Sequence, residues 1–206
     1  PMLGYSTVGI DLNPVMVLVG KARSLPPSEV DSIAPCAKAL AKSIKSAATS
    51  IPEADPLIAW FEKSTAHRIR ALEQRIRNDL ISKEAADPVW HLNKISCFAA
   101  TFYVALFSIC KQFTRAFGSS NPTWLRLPKP TEKKISLSAA EISRAFITEC
   151  LSLATHLQSL DQDIEAGNVD IFVGDSTQNM GDQRADLILT SPPYCTRIDY
   201  TAATRV

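Results

Sequence analysis

The chain has 206 residues, 46% of them hydrophobic and 21% charged, with a net charge of +1 at pH 7. These values are typical of a globular domain with a sizeable core, and they lack the overall basic excess of many nucleic-acid-binding proteins. The five cysteines are scattered without a Cys-x-x-Cys pair, which argues against a disulfide framework or a zinc site and favours a reducing, cytoplasmic compartment. The three histidines lie far apart in the sequence and indicate no metal site.

The first predicted unit is a short strand that ends in an acid and is followed by a helix. Residues 6–10 are rich in β-branched side chains, and the strand ends at Asp11. Asn13 fits an N-cap and Pro14 the first helical position, so we expect a helix from about Pro14 to Ser24. In nucleotide-binding α/β folds, an acid at a strand end accepts hydrogen bonds from ribose hydroxyls. The other interpretation is that Asp11 only helps to cap the helix.

Residues 28–167 are predicted to form a long, mainly helical insertion. Its first part carries apolar residues largely at three- and four-residue steps, the spacing of one helix face. These are Leu57, Phe61, Ile69, Leu72, Ile76 and Leu80. The same stretch carries Arg68, Arg70, Arg75 and Arg77. These arginines indicate either a solvated helix face or contact with DNA phosphates.

Two further helices are predicted within this insertion. Residues 95–110 contain no charged residue. This charge-free stretch is shorter than the roughly 20 apolar residues that span a bilayer. We therefore expect the central helix of a bundle, with Pro88 in its first turn and Gly118 at its end. The last helix begins at the capping-box pattern Ser138–Glu141 and is expected to end at Gly167.

A loop rich in helix- and strand-breaking residues is predicted between these two helices, over residues 119–130. Its Asn, Thr, Trp and Arg side chains are of the kinds that read or stack on nucleic-acid bases. The alternative is a structural crossover in which Trp124 covers the core of the bundle. Basic residues mark the far side of the loop, namely Lys129, Lys133 and Lys134.

Two more strands are predicted near the end of the chain. The apolar run that begins at Val169 ends in Gly174 and Asp175. Residues 185–190 contain the run Leu187-Ile188-Leu189, apolar without polar alternation, which is typical of a buried strand in a parallel sheet. They lead into Ser191-Pro192-Pro193-Tyr194, where the prolines impose a stiff loop. Ligands of open α/β sheets bind at such carboxyl ends of strands.

This loop, the run Gly9-Ile10-Asp11-Leu12-Asn13-Pro14 and the strand that ends at Asp175 together resemble the S-adenosylmethionine-dependent DNA amino-methyltransferases. The Ser-Pro-Pro-Tyr form resembles the branch that methylates cytosine N4. The resemblance implies an α/β fold, a partial Rossmann-like class I methyltransferase sheet with a large, mainly α-helical insertion. Residues 1–27 and 168–206 would form the partial core, and residues 28–167 would be the helical insertion and a DNA-recognition region.

The resemblance also implies the roles of individual residues. Cofactor binding falls to Asp11 on the ribose of S-adenosylmethionine, to Asn13 in the same run, and to Asp175 beside the adenine amino group, with Ser176 next to it. The catalytic loop is Ser191-Pro192-Pro193-Tyr194. In it, the Ser191 oxygen and the Pro192 carbonyl accept hydrogen bonds from the target amine, and Tyr194 stacks on the base.

One part of the family pattern does not occur in this sequence. The glycine-rich cofactor loop Phe-x-Gly-x-Gly should precede the strand that ends at Asp11, so the resemblance predicts an internal piece of a larger enzyme. Without that loop's strand, the strands before Asp11 and Ser191 must pair directly, recruit another strand or leave a gap. The expected partners are DNA and a cognate restriction nuclease, with no membrane and no metal. The alternatives are an N6-adenine DNA or RNA methyltransferase, or a non-catalytic helical fragment for DNA binding or assembly.

Overall fold

Helices dominate the part of the chain that the computed structural model describes. That part comprises residues 4–42, 44, 52–81, 92–118, 125–159, 167–175 and 184–190. The strands are β1 (Thr7–Asp11) and β2 (Val169–Val173). The helices are α1 (Pro14–Arg23), α2 (Pro27–Val30), α3 (Ile33–Lys42), α4 (Lys63–Leu80), α5 (Cys97–Phe113) and α6 (Ala139–Gln158), with 3-10 turns at Pro56–Ala59 and Thr114–Phe117.

The two strands form a small parallel sheet, in register from Thr7 opposite Val169 to Asp11 opposite Val173. Helix α1 covers one face of it. A Cβ atom on Gly20 of α1 would lie 3.1 Å from the Ile171 side chain, so the missing side chain lets helix and sheet approach closely. The structure is mostly helical with this small sheet, and the Rossmann-like methyltransferase fold stays a prediction.

The strand–acid–helix prediction at the start of the chain is confirmed. The Asn13 side chain accepts a hydrogen bond from the Val15 N–H at 3.0 Å, and Pro14 occupies the first turn of α1. Helix α1 ends at Arg23, one residue before the predicted Ser24. The local signals sufficed here because capping hydrogen bonds involve only neighbouring residues.

Helix α5 is the centre of the helical packing and contacts α1, α4 and α6, as predicted for residues 95–110. Together with the 3-10 turn after it, it forms a helical run of 21 residues, Cys97–Phe117, which is long and apolar enough to cross a membrane by length and composition alone. The prediction that it is too short was therefore wrong, because the charge-free residues are only part of the run. The side chains on its core face are buried, as in a core helix. Pro88 lies outside the described residues. Helix α5 begins only at Cys97, with Ser96 as its N-cap, so the prediction that Pro88 lies in its first turn was wrong.

The end of the last helix was predicted wrongly. Helix α6 starts at the capping box as expected, with the Ser138 hydroxyl accepting from the Glu141 N–H and the Glu141 carboxylate accepting from the Ser138 N–H. It ends at Gln158, however, and not at Gly167. A Cβ atom at Gly167 would lie 2.1 Å from the Tyr5 carbonyl oxygen. This glycine therefore allows the two chain segments to pass closely just before β2.

The apolar stripe of residues 57–80 is divided between two elements. Helix α4 starts only at Lys63, whereas Leu57 lies in the 3-10 turn and Phe61 forms a parallel bridge with Ile135. Both side chains are buried with the helix residues. The spacing thus identified core residues correctly and misplaced the start of the helix.

The predicted buried strand of residues 185–190 does not form. Leu187, Ile188 and Leu189 belong to no strand, and they are 73%, 79% and 86% exposed. Within the described residues the sheet has two strands, so this segment lacks the neighbouring strand whose hydrogen bonds would order it. The sequence left three alternatives for the segments before Asp11 and Ser191: direct pairing, a recruited strand between them, or a gap. Direct pairing between them is not observed.

Asp55 connects the turn before α4 to the helix itself. Its carboxylate accepts the Leu57 N–H at 2.9 Å and two guanidinium hydrogen bonds from Arg70 at 2.7 and 3.1 Å. Burial opposes ionisation of this carboxyl, but the hydrogen bonds from Arg70 and Leu57 outweigh it and lower the pKa of Asp55. The ion pair therefore stabilises the folded state only while Asp55 is ionised.

We expect Asp55→Asn to lower the free energy of unfolding by about 1–3 kcal/mol at pH 7, because Arg70 loses its charged partner. The folded-state pKa lies below the unfolded value of about 3.9. The contribution is therefore complete above about pH 5 and is lost as the pH falls through the folded pKa. Urea denaturation at several pH values should show the difference shrinking towards pH 2. Asp79→Asn, in a more exposed pair with Arg75, should cost less than about 0.5 kcal/mol, and an equal cost would contradict this account.

Candidate functional site

The candidate site is the edge where the carboxyl ends of β1 and β2 lie side by side. The Gly174 N–H donates to the Asp11 carbonyl oxygen at 3.1 Å, which extends the parallel ladder past the end of β2. Asp11 itself lies opposite Val173, two residues before Asp175. The pairing therefore brings two of the predicted cofactor residues, which are 164 positions apart in the sequence, to one edge.

Asp11 is exposed, and its side chain is oriented by the turn that follows it. One carboxylate oxygen accepts a hydrogen bond from the Asn13 N–H at 2.7 Å. Asp11 therefore orients the N-cap residue of α1, as the capping interpretation predicts. An ionised carboxylate accepts about four hydrogen bonds in all. The turn thus fixes the direction of this carboxylate and is compatible with hydroxyl binding at the same group.

Asn13 and Asp175 take different positions at this edge. The Asn13 side-chain oxygen caps α1, so its shown role is structural. Asp175 is half-buried directly after Gly174. A Cβ atom on Gly174 would lie 3.1 Å from an Ile10 methyl group, so the space beside this glycine is filled by β1. Ser176 lies outside the described residues, as do Ser191, Pro192, Pro193 and Tyr194.

A buried lysine of α1 escaped the sequence interpretation. Lys21 of α1 is only 7% exposed, and its ammonium group donates to the carbonyls of Leu92, Asn93 and Ile95 at 3.1, 2.6 and 2.9 Å. Burial lowers the pKa of Lys21, and nearby Cys97 and Asp170 oppose that shift. The signal in the sequence was a lysine on the buried stripe of α1, four residues after Val17.

Asn93 also contacts β2. Its side-chain oxygen accepts the Val173 N–H at 2.7 Å. Since the Gly174 N–H points to β1, the preceding Val173 N–H points to the other side of β2, away from β1. Asn93 therefore occupies a hydrogen-bonding position that a neighbouring strand would take. No signal in the sequence identified this contact, because it joins residues 80 positions apart.

The four arginines of α4 all have partners within the protein. Arg68 donates to the Leu137 carbonyl, and the other three form ion pairs. Those pairs are Arg70 with Asp55, Arg75 with Asp79, and Arg77 with Glu73. Arg68 and Arg70 therefore attach α4 to other segments, whereas Arg75 and Arg77 pair within the helix on its exposed side. Contact with DNA phosphates stays a prediction.

The basic loop before α6 is likewise tied to the core. The Arg126 guanidinium forms two hydrogen bonds with Glu132 at 2.6 and 2.8 Å and lies 5.5 Å from the centre of the Phe117 ring. The Arg126 hydrogen bonds, followed by the Lys129 N–H, lower the pKa of Glu132 to about 2. Trp60 donates to the Arg126 carbonyl at 3.0 Å. Trp124 lies outside the described residues, so neither interpretation of it is tested.

Metal-binding side chains do not cluster in the part of the chain that the structure describes. Among the described residues there is no group of three or more His, Cys, Asp or Glu side chains that would hold an ion, and the cysteines there are free thiols. Comparison with protein-family models, curated proteins and solved structures finds no match to this chain.

Proposed function

We propose that this chain belongs to an S-adenosylmethionine-dependent DNA methyltransferase that methylates an exocyclic amine, with cytosine N4 as the target. The observation that carries the proposal is the parallel pairing of β1 and β2, which places Asp11 and Asp175 at one carboxyl edge. That edge is where open α/β sheets bind ligands. The Ser191-Pro192-Pro193-Tyr194 sequence supplies the resemblance for the reaction.

The groups at this edge suit the cofactor by their chemistry. The exposed Asp11 carboxylate would accept hydrogen bonds from the ribose hydroxyls of S-adenosylmethionine, and Asp175 would accept one from the adenine amino group. Both roles require hydrogen-bond acceptors, which ionised carboxylates are. The cofactor supplies a methyl group activated by its bond to a positively charged sulfur.

The chain's own part of the reaction is to bind and orient the target base. An exocyclic amine is a poor nucleophile, because its lone pair is delocalised into the ring. Hydrogen bonds from the amine to the Ser191 oxygen and the Pro192 carbonyl would favour a pyramidal nitrogen, and Tyr194 would stack on the base. In duplex DNA the base must first leave the helix, at a cost of a few kcal/mol. Orientation of the amine then provides most of the acceleration.

The direct test is mass spectrometry of nucleosides after incubation of the chain with DNA and S-adenosylmethionine. We expect N4-methylcytosine. N6-methyladenine without N4-methylcytosine would replace cytosine by adenine as the target, and methylated nucleosides from an RNA substrate alone would exclude the DNA assignment. Absence of any methylated base in either nucleic acid would contradict an activity of this chain.

Cofactor binding by calorimetry tests the site separately. We expect Asp11→Asn to weaken S-adenosylmethionine binding about tenfold, because a charged acceptor contributes about 1.5 kcal/mol to such a hydrogen bond. Asp175→Asn should have a similar effect. The matched control is Asp79→Asn, an exposed acid of α4 outside the carboxyl edge, which should bind like the unmodified chain. Equal losses in all three variants would contradict a specific role of the edge.

A second candidate function is a non-catalytic assembly module. The exposed apolar run Leu187–Leu189 favours it, because contiguous exposed apolar surface marks contact with another polypeptide. Calorimetry separates the two candidates, since an assembly module that lacks the cofactor site would show no binding of S-adenosylmethionine.

A further inference from the structure

We infer that Asn93 and Lys21 are positioning residues of the carboxyl edge, which they attach to the helical part of the chain. The positioning role rests on the proposed function, whereas the attachment rests on hydrogen bonds seen in the structure. Lys21 holds the backbone of the segment 92–95, and the Asn93 side chain on that segment holds the end of β2.

The attachment acts at the last residue of β2. Val173 is bound on one side, through its outward N–H, by the Asn93 oxygen at 2.7 Å. The next residue, Gly174, is bound on the other side by the Asp11 carbonyl at 3.1 Å. The backbone is thus held from both edges immediately before Asp175. A two-stranded sheet is weakly stable by itself, so these bonds determine where the Asp175 backbone lies.

Lys21 fixes the direction of Asn93. An ammonium group has three N–H donors, and three carbonyls of one short segment accept them. Lys21 belongs to α1, which begins three residues after the last residue of β1. Movement of the segment 92–95 relative to α1 would therefore displace Asn93 and, through it, the end of β2.

This geometry makes the helical part a contributor to the candidate site. The segment 92–95 leads directly into α5, which packs against α1. The two strand ends carry Asp11 and Asp175, and their separation depends on a residue from the region predicted to be an insertion. Asn93 touches neither reacting atoms nor cofactor in this account, and it acts through Val173.

The test compares Asn93→Ala, Asn93→Asp and a matched control, Thr65→Val. Thr65 accepts the Leu137 N–H at 2.9 Å in the helical part, so its loss also removes one side-chain acceptor from a backbone N–H. Hydrogen-exchange NMR reports on the Val173 amide, and calorimetry reports on S-adenosylmethionine binding.

We expect Asn93→Ala to accelerate exchange of the Val173 amide by about tenfold or more and to weaken S-adenosylmethionine binding about three- to tenfold. Asn93→Asp keeps the acceptor oxygen and should restore both properties, whereas Thr65→Val should change neither. Unchanged Val173 exchange in Asn93→Ala would overturn the attachment. Faster exchange with unchanged cofactor affinity would overturn the positioning role.

Binding of S-adenosylmethionine to the unmodified chain tests the proposed function separately from the attachment. If the unmodified chain does not bind S-adenosylmethionine, the proposed cofactor site fails. The exchange comparison then decides the attachment alone, since accelerated Val173 exchange in Asn93→Ala supports it and unchanged exchange overturns it.

Discussion

Phe102→Ala should lower the free energy of unfolding by about 3–5 kcal/mol, the usual cost of removing a buried aromatic side chain. Phe102 is 0% exposed in the middle of α5. Its ring packs edge-to-face on Phe98 at 5.0 Å and lies 6.4 Å from the ring of Phe146 on α6. Truncation would leave a cavity between the two helices that the surrounding side chains fill only in part.

This loss is large compared with the total stability of a globular domain, which is about 5–15 kcal/mol. Urea denaturation followed by circular dichroism measures it directly. Phe102→Leu keeps most of the volume and should cost about 1.5 kcal/mol or less. The control is Leu151→Ala on α6, where the side chain is 41% exposed, and it should cost about 1 kcal/mol. Similar costs for Phe102→Ala and Leu151→Ala would contradict the central position of α5.

Lys21→Met should lower the free energy of unfolding by about 2–4 kcal/mol. Methionine is similar in length but donates no hydrogen bond, so three carbonyls of the segment 92–95 lose their partner. Removal of a buried charge relieves part of its desolvation cost, which keeps the loss below the sum of three hydrogen bonds. Lys38→Met makes the same chemical change at an exposed position of α3 and should stay within about 0.5 kcal/mol.

The pH dependence of this loss has a definite sign. Burial lowers the pKa of Lys21 below the unfolded value of about 10.4. Between the folded and the unfolded pKa the unfolded chain binds more protons, so the contribution of Lys21 to stability rises with pH. The difference between the unmodified protein and Lys21→Met should therefore widen as the pH increases towards 10. Urea denaturation at pH 7 and pH 10 measures this, and a difference that narrows would contradict a desolvated ammonium group.

Local signals in the sequence were reliable where the physics is local. The N-cap at Asn13, Pro14 in the first turn and the Ser138–Glu141 capping box all appear in the structure. Each depends on hydrogen bonds or backbone angles within four residues. The apolar composition of residues 95–110 likewise predicted the core helix α5, because an all-round apolar helix must be buried.

The same signals failed where a distant partner decides the outcome. Gly167 was assigned to a helix end, but the close approach of Tyr5 explains it. Residues 187–189 have the composition of a buried strand and are exposed, since a strand needs a neighbour as well as apolar side chains. For the four arginines of α4 the sequence left two interpretations open; the structure adds their partners within the protein, and contact with DNA phosphates stays a prediction.

By itself, the sequence determined the starts of α1 and α6, many core residues and the acids at two strand ends. It also supplied the resemblance from which the methyltransferase proposal comes. Only the tertiary structure decided that β1 and β2 are direct neighbours, with Asp11 and Asp175 at one edge. It alone showed Lys21 and Asn93 attaching that edge to the helices. The reason is physical. The strand pairing and the hydrogen bonds of Lys21 and Asn93 join residues 70 or more positions apart. The sequence around a buried polar group does not show which distant group will form its hydrogen bond.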